Sequence, residues 1–152
     1  MQASEESVKD AVVGVWTFGS YETKDIDGSD VAYPLGEHAT GMIMYTADGY
    51  MSVQIGAAGR PAYADGALHG GTDAERAAAA AGYLAYTGTY SVDVDVITHH
   101  PVASLFPNWE GSDVPRRATI QNDTLSLDLL EPIQQDGQAR TGTLRWHRAS
   151  AL

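Results

Sequence analysis

From Val15 onward the chain is a succession of short segments in which apolar and polar residues alternate, each closed by turn-forming residues, and this pattern leaves few folds open to it. Residues 15–23, 41–46, 50–55, 85–92, 96–101, 116–121, 124–129 and 139–148 read as strands. Two connections between them are tight. Ala47-Asp48-Gly49 sits between two apolar strands, and Asn122-Asp123 separates Ile120 from Leu125. Asn, Asp and Gly tolerate the positive φ that hairpin turns demand, so the sheet is antiparallel. Eight antiparallel strands in a chain of 152 residues remove their exposed edges by closing on themselves. The expected class is therefore all-β: an eight-stranded up-and-down barrel whose interior holds side chains or one small ligand. An open half-barrel or a sandwich is the structural alternative.

Two segments depart from this period. Over residues 4–12, Ser4 is placed to cap a short helix, with Glu5 and Glu6 in its first turn and Val8, Ala11 and Val12 at helical spacing. Near residues 72–82, Thr72-Asp73-Ala74-Glu75 has the form of a capping box and leads into Arg76 and five alanines before Gly82. One inserted helix is expected there. The preceding stretch, residues 56–71, holds five glycines and Arg60-Pro61, and reads as a long loop that forms either a pocket lip or a plain surface excursion.

Composition narrows the function classes. With no internal repeat and no linker, residues 1–152 form one domain. There are no cysteines, which removes disulfides, thiolate metal sites and thiol nucleophiles and fits a reducing cytoplasm. The acidic N-terminus lacks the pattern of a signal peptide and no apolar run reaches membrane-spanning length, so an intracellular, soluble chain is expected. The net charge of −11 has the wrong sign for nucleic acid or an anionic membrane. The expected partner is a small-molecule ligand or substrate, with the chain a monomer or a homodimer. Rich usage of alanine, glycine, aspartate and arginine points to a bacterial, GC-rich genome.

Gly14-Val15-Trp16 opens the first strand, and Leu144-Arg145-Trp146-His147-Arg148 ends the last. Between them lie Tyr45-Thr46-Ala47-Asp48-Gly49-Tyr50-Met51-Ser52, then Gly82 to Tyr90, then Thr98-His99-His100, then Ser104-Leu105-Phe106-Pro107-Asn108-Trp109. In this order the blocks resemble the bacterial and fungal lipocalin-like domain family, from about Val13 to Arg148. The resemblance implies a barrel with a small-molecule cavity, and an arginine of the last strand packed over the first-strand tryptophan. Arg148 shares a face with Leu144 and Trp146, so Arg148 and Trp16 are assigned this closing role, with Arg145 set aside. Such barrels serve as carriers and as cofactor-free enzymes, so the fold alone does not choose a reaction.

Several residues are of a kind that carries chemistry. His99 and His100 are adjacent on one strand, so only one of them enters the cavity: as a general acid or base poised near neutral pH, or as a buried hydrogen-bonded neutral side chain. Phe106, Asn108 and Trp109 follow closely, then Arg116 and Arg117. Asn108 suits a ligand carbonyl, Trp109 and Phe106 a ring or the core, and one inward arginine a carboxylate or enolate. Tyr45, Tyr83, Tyr86 and Tyr90, with Met42 and Met44, supply cavity lining or barrel filling. No phosphate loop, nucleophile elbow or metal-binding spacing is present, and His38, His69 and His147 are scattered; no cofactor and no metal are expected. The leading expectation is a cofactor-independent cyclase, isomerase or lyase of bacterial secondary metabolism, with His99 or His100 as acid–base and Arg116, Arg117 or Asn108 stabilising an oxyanion. The alternative is a non-catalytic carrier using the same cavity. A partner-binding module would need an exposed apolar patch.

Overall fold

The computed structural model describes residues 7–152, and over them the alternating segments form one closed antiparallel barrel. The strands are β1 (Gly14–Asp25), β2 (Thr40–Tyr45), β3 (Tyr50–Gly56), β4 (Tyr83–Asp93), β5 (Val96–Ser104), β6 (Val114–Gln121), β7 (Thr124–Leu129), β8 (Ile133–Gln135) and β9 (Gln138–Arg148). From β1 to β7 each pairs with the next around the wall, β7 pairs with β9, and β9 closes the ring on β1, from Trp16 opposite Arg148 to Asp25 opposite Arg140. The ninth strand does not enlarge the barrel. β7 and β8 both pair along the same edge of β9, so they are one strand interrupted at residues 130–132, where Pro132 has no amide to offer the ladder.

The hairpin turns have the backbone that their residues permit: Asn122 and Gly49 sit at φ values of 55° and 102°. The inserted helix α2 (Asp73–Ala81) carries the full reciprocal capping box between Thr72 and Glu75. The leading helix α1 (Val8–Ala11) is one turn, and Ser7 occupies its N-cap, accepting from the Asp10 amide. That corrects the expected cap. Ser4, Glu5 and Glu6 lie outside the described residues. No helix among the described residues is long and apolar enough to cross a membrane.

α1 covers one barrel end. Trp16 is fully buried there and donates its indole N–H to the Val12 carbonyl at 2.9 Å. The Arg148 guanidinium lies 4.1 Å from the Trp16 ring centre and donates to the Ala11 and Val13 carbonyls, tying α1 to the last strand. Arg145 points elsewhere and pairs with Glu22.

Two bulges set which side chains face inward. On β1 the register slips between Phe18 and Ser20, so Gly19 is the extra residue. On β5 it slips opposite Thr87 and Gly88, and Val102 is the extra residue. At this second bulge the strands crowd together: a Cβ on Gly88 would stand 2.0 Å from the His100 carbonyl oxygen, which is backbone and has no room to yield. Gly88→Ala is therefore expected to destabilise the barrel by about 3 kcal/mol, seen as a lower denaturant midpoint. A change within 0.5 kcal/mol, on the order of an ordinary surface substitution, would show that the strands do not approach this closely.

Candidate functional site

The end opposite α1 is open, and a chamber of about 100 Å³ lies below it among Tyr21, Ile43, Val53, Leu84, Tyr86, His99, Trp109, Arg116, Leu127, Leu144 and Trp146. Tyr21, Leu84 and Trp109 also wall a vestibule of about 250 Å³, whose rim is Pro34, Leu35, Ser104 and Phe106. The two spaces thus share a wall and form a stepped pit. A wider groove of about 610 Å³ runs over the outer face of β2 and β3 beneath Arg60, but it is open to solvent and takes little of a ligand's surface out of water.

His99 is the inward member of the histidine pair and is almost wholly buried. Its Nε2 lies 2.6 Å from the Tyr45 hydroxyl and its Nδ1 2.7 Å from the Tyr86 hydroxyl. One ring nitrogen donates and the other accepts, so both are satisfied within the protein. Burial, helped by the nearby Arg116 charge, pushes the His99 imidazole down to about 3. Of the two roles open to the inward histidine, this geometry fits the buried, hydrogen-bonded neutral side chain, and His99 ties three strands together. His100 faces outward between Ser91 and Asp113, at 3.0 and 2.8 Å. That connectivity has the order of a hydrolytic triad, but Asp113 is 74% exposed and the group sits on the convex wall, away from the chamber.

The arginine pair divides in the same way. Arg117 points outward and pairs with Asp95. Arg116, between the buried Val114 and Ala118 on β6, points into the chamber. Arg117, Arg140, Arg145 and Arg148 each meet a carboxylate, whereas Arg116 meets none among the described residues; it donates only to the Pro115 carbonyl beside it. Its charge acts on Tyr21, Tyr45, Tyr86 and His99. Burial nevertheless wins at the phenols: Tyr86 is pushed up to about 12, and Tyr21 and Tyr45 also rise above the usual tyrosine value. All three phenols are neutral. The Trp146 indole N–H, fully buried in the chamber wall, has no hydrogen-bond partner in the structure.

The remaining expected ligand residues fall less favourably. Tyr45 spends its hydroxyl on His99, and Tyr90 donates to the Thr46 carbonyl while its ring packs edge-on against Tyr45, so both fill the barrel below the chamber. Phe106 is half exposed and sits on the vestibule rim against Trp109, which itself packs edge-on against Tyr86. Asn108 is exposed in the 3₁₀ turn Pro107–Trp109 and lines neither space. Met42 and Met44 face outward over the groove; Tyr83 lines the groove and also borders the vestibule, and the 56–71 loop packs at the groove, with Arg60 stacked 4.7 Å from the Tyr83 ring centre. That loop is not the chamber's lip. Tyr21, Leu84 and Trp146 were not anticipated; Tyr21 enters because the Gly19 bulge reverses the inward phase of β1.

A family model described as a lipocalin-like domain matches residues 13–149, which include both the closing Trp16–Arg148 pair and the whole chamber. The chain belongs to the lipocalin-like domain family. A curated relative of this lipocalin-like protein is the 4'-hydroxy-3'-methoxypropiophenone carrier protein ppsC of Aspergillus oryzae. It is 30% identical over 110 residues, covering 67% of this chain and 99% of the relative. No solved structure matches the chain. The lipocalin-like barrel and its carrier relative support binding of a small molecule.

Proposed function

We propose that this lipocalin-like barrel is a carrier that seats one small, largely apolar molecule in the chamber, with an oxygen of that molecule against Arg116. The observation that carries the reading is the inward guanidinium with no carboxylate partner inside an apolar wall. A half-buried cation gains from an acceptor that the protein does not supply. Size restricts the ligand: the two spaces are at or below the small end of ordinary ligand pockets, which suits a single ring with a short substituent. The relative is named as the carrier of an aryl ketone of that size, and an aryl ketone or phenol is the class proposed here.

The catalytic reading, a cofactor-independent cyclase, isomerase or lyase, has less support at His99, whose two ring nitrogens are already held by the Tyr45 and Tyr86 hydroxyls. What favours it as a second reading is Arg116 beside Tyr21 and Tyr86, a set of donors fit to stabilise an oxyanion as it develops.

Titration of the protein with 4-hydroxypropiophenone by calorimetry separates these readings. A Kd on the order of micromolar is expected, with the compound recovered unaltered by chromatography. Leu84→Trp, which fills the passage between vestibule and chamber, should weaken binding at least tenfold, about 1.4 kcal/mol, while leaving the circular dichroism of the sheet intact. Undiminished affinity in that variant would place the ligand elsewhere. Recovery of a converted product would move the assignment to the second reading.

A further inference from the structure

We propose that the chamber takes a weak oxygen acid, a phenol or an enol, from water in its neutral form and holds it as the oxyanion with Arg116 as counter-ion. This rests on the carrier reading above and goes beyond it by naming the charge state of the bound molecule.

The argument starts from the charges that face the chamber. Tyr21 on β1, Tyr45 on β2, Tyr86 on β4 and His99 on β5 are the titratable groups on which the Arg116 charge acts, and each of them is neutral near pH 7. On β7 the residue opposite Arg116 is Leu129, and Leu127 and Leu144 complete the wall on that side. The guanidinium on β6 is therefore the one formal charge lining the chamber among the described residues. With a neutral ligand it stays unpaired in apolar surroundings. With an oxyanion it forms a neutral pair.

The outside of the molecule selects the acid's strength. A chain of net charge −11 repels anions as they approach, which disfavours a carboxylic acid already ionised in water. A phenol or enol arrives uncharged, and its O–H bond breaks once it is seated. The electron pair stays on the ligand oxygen beside the guanidinium, and the proton leaves to solvent through the vestibule.

The test uses 4-nitrophenol, whose yellow phenolate reports its own ionisation, and 4-nitroanisole, which has nearly the same shape and no acidic proton. Protein-bound 4-nitrophenol should ionise at least about one pH unit lower than in free solution, a tenfold preference for the anion. Arg116→Gln should abolish that shift, while Arg116→Lys, which keeps the charge should the glutamine variant fold poorly, retains part of it. A bound phenol that ionises at the free value or higher overturns the inference, and so does a shift that survives Arg116→Gln. If the anisole binds as tightly as the phenolate, the oxyanion reading falls and the chamber stands. If neither compound binds, both readings fall.

Discussion

Replacing Trp16 by alanine is expected to lower the stability of the barrel by about 4 kcal/mol, within the range for deleting a fully buried large aromatic side chain. Three losses combine at this position. The indole leaves a void at the closed end, where it has no exposed surface. The Val12 carbonyl loses the donor that holds it at 2.9 Å. Arg148 loses the ring beneath it and keeps the carbonyls of Ala11 and Val13 and the Asp123 carboxylate. Trp16→Phe keeps most of the apolar area and should cost roughly half as much; Arg148→Met, which removes the cation and its two carbonyl bonds, should cost about 1–2 kcal/mol. Urea unfolding measures all three. The chamber lies at the other end, so ligand affinity per folded molecule should be unchanged in Trp16→Phe. A midpoint for Trp16→Ala close to the parent's would mean that the Trp16–Arg148 stack does not hold this end closed.

The closed end was legible in the sequence because it depends on identity and order alone: a tryptophan opening the first strand, an arginine ending the last, and antiparallel closure to bring them together. The strands and the capped α2 were legible for a similar reason, since alternation and turn chemistry are local. The open end was harder to read, because its site depends on phase, and each bulge resets phase. Counting by twos from Trp16 places Ser20 and Glu22 inside; the extra residue at Gly19 places Tyr21 and Thr23 there instead. Two of the misplaced residues did carry a usable signal. Met44 adjoins Tyr45 on a regular strand, and Tyr83 stands an odd number of residues from Tyr86, so in each pair only one side chain can face the barrel interior. Asn108 carried none, since a 3₁₀ turn that leaves the amide in water and turns Trp109 toward the barrel has no two-residue period. The unsatisfied Trp146 N–H was also invisible, because a donor is orphaned only by what surrounds it in space.

His99→Gln is expected to change how stability depends on pH more than any other single substitution. In the native barrel the imidazole stays neutral until the pH falls to about 3, whereas in the unfolded chain it takes up a proton near 6.5. Between these limits the unfolded state binds one more proton than the native state. Stability is therefore fully present above pH 6.5 and lost as the pH falls, by up to about 1.4 kcal/mol per unit, or about 2 kcal/mol by pH 5. Carboxylates such as Glu22, which Arg145 holds below the usual range, add their own loss only as the pH approaches 4.5, so the interval from 6.5 to 5 belongs to His99. Glutamine carries one donor and one acceptor and can meet both the Tyr45 and Tyr86 hydroxyls, but it takes up no proton in this range. The variant should be about 1–2 kcal/mol less stable at pH 7.5, from poorer fit in a packed site, and its stability should be nearly flat down to pH 5. The two profiles should therefore converge, and by about pH 5 the variant should equal or exceed the parent. His100, on the water-facing side of β5, is common to both proteins and cancels in the difference. Parallel profiles over this interval would show that the proton is taken up elsewhere, and that the Tyr45–His99–Tyr86 chain is not the acid-sensitive joint of the barrel.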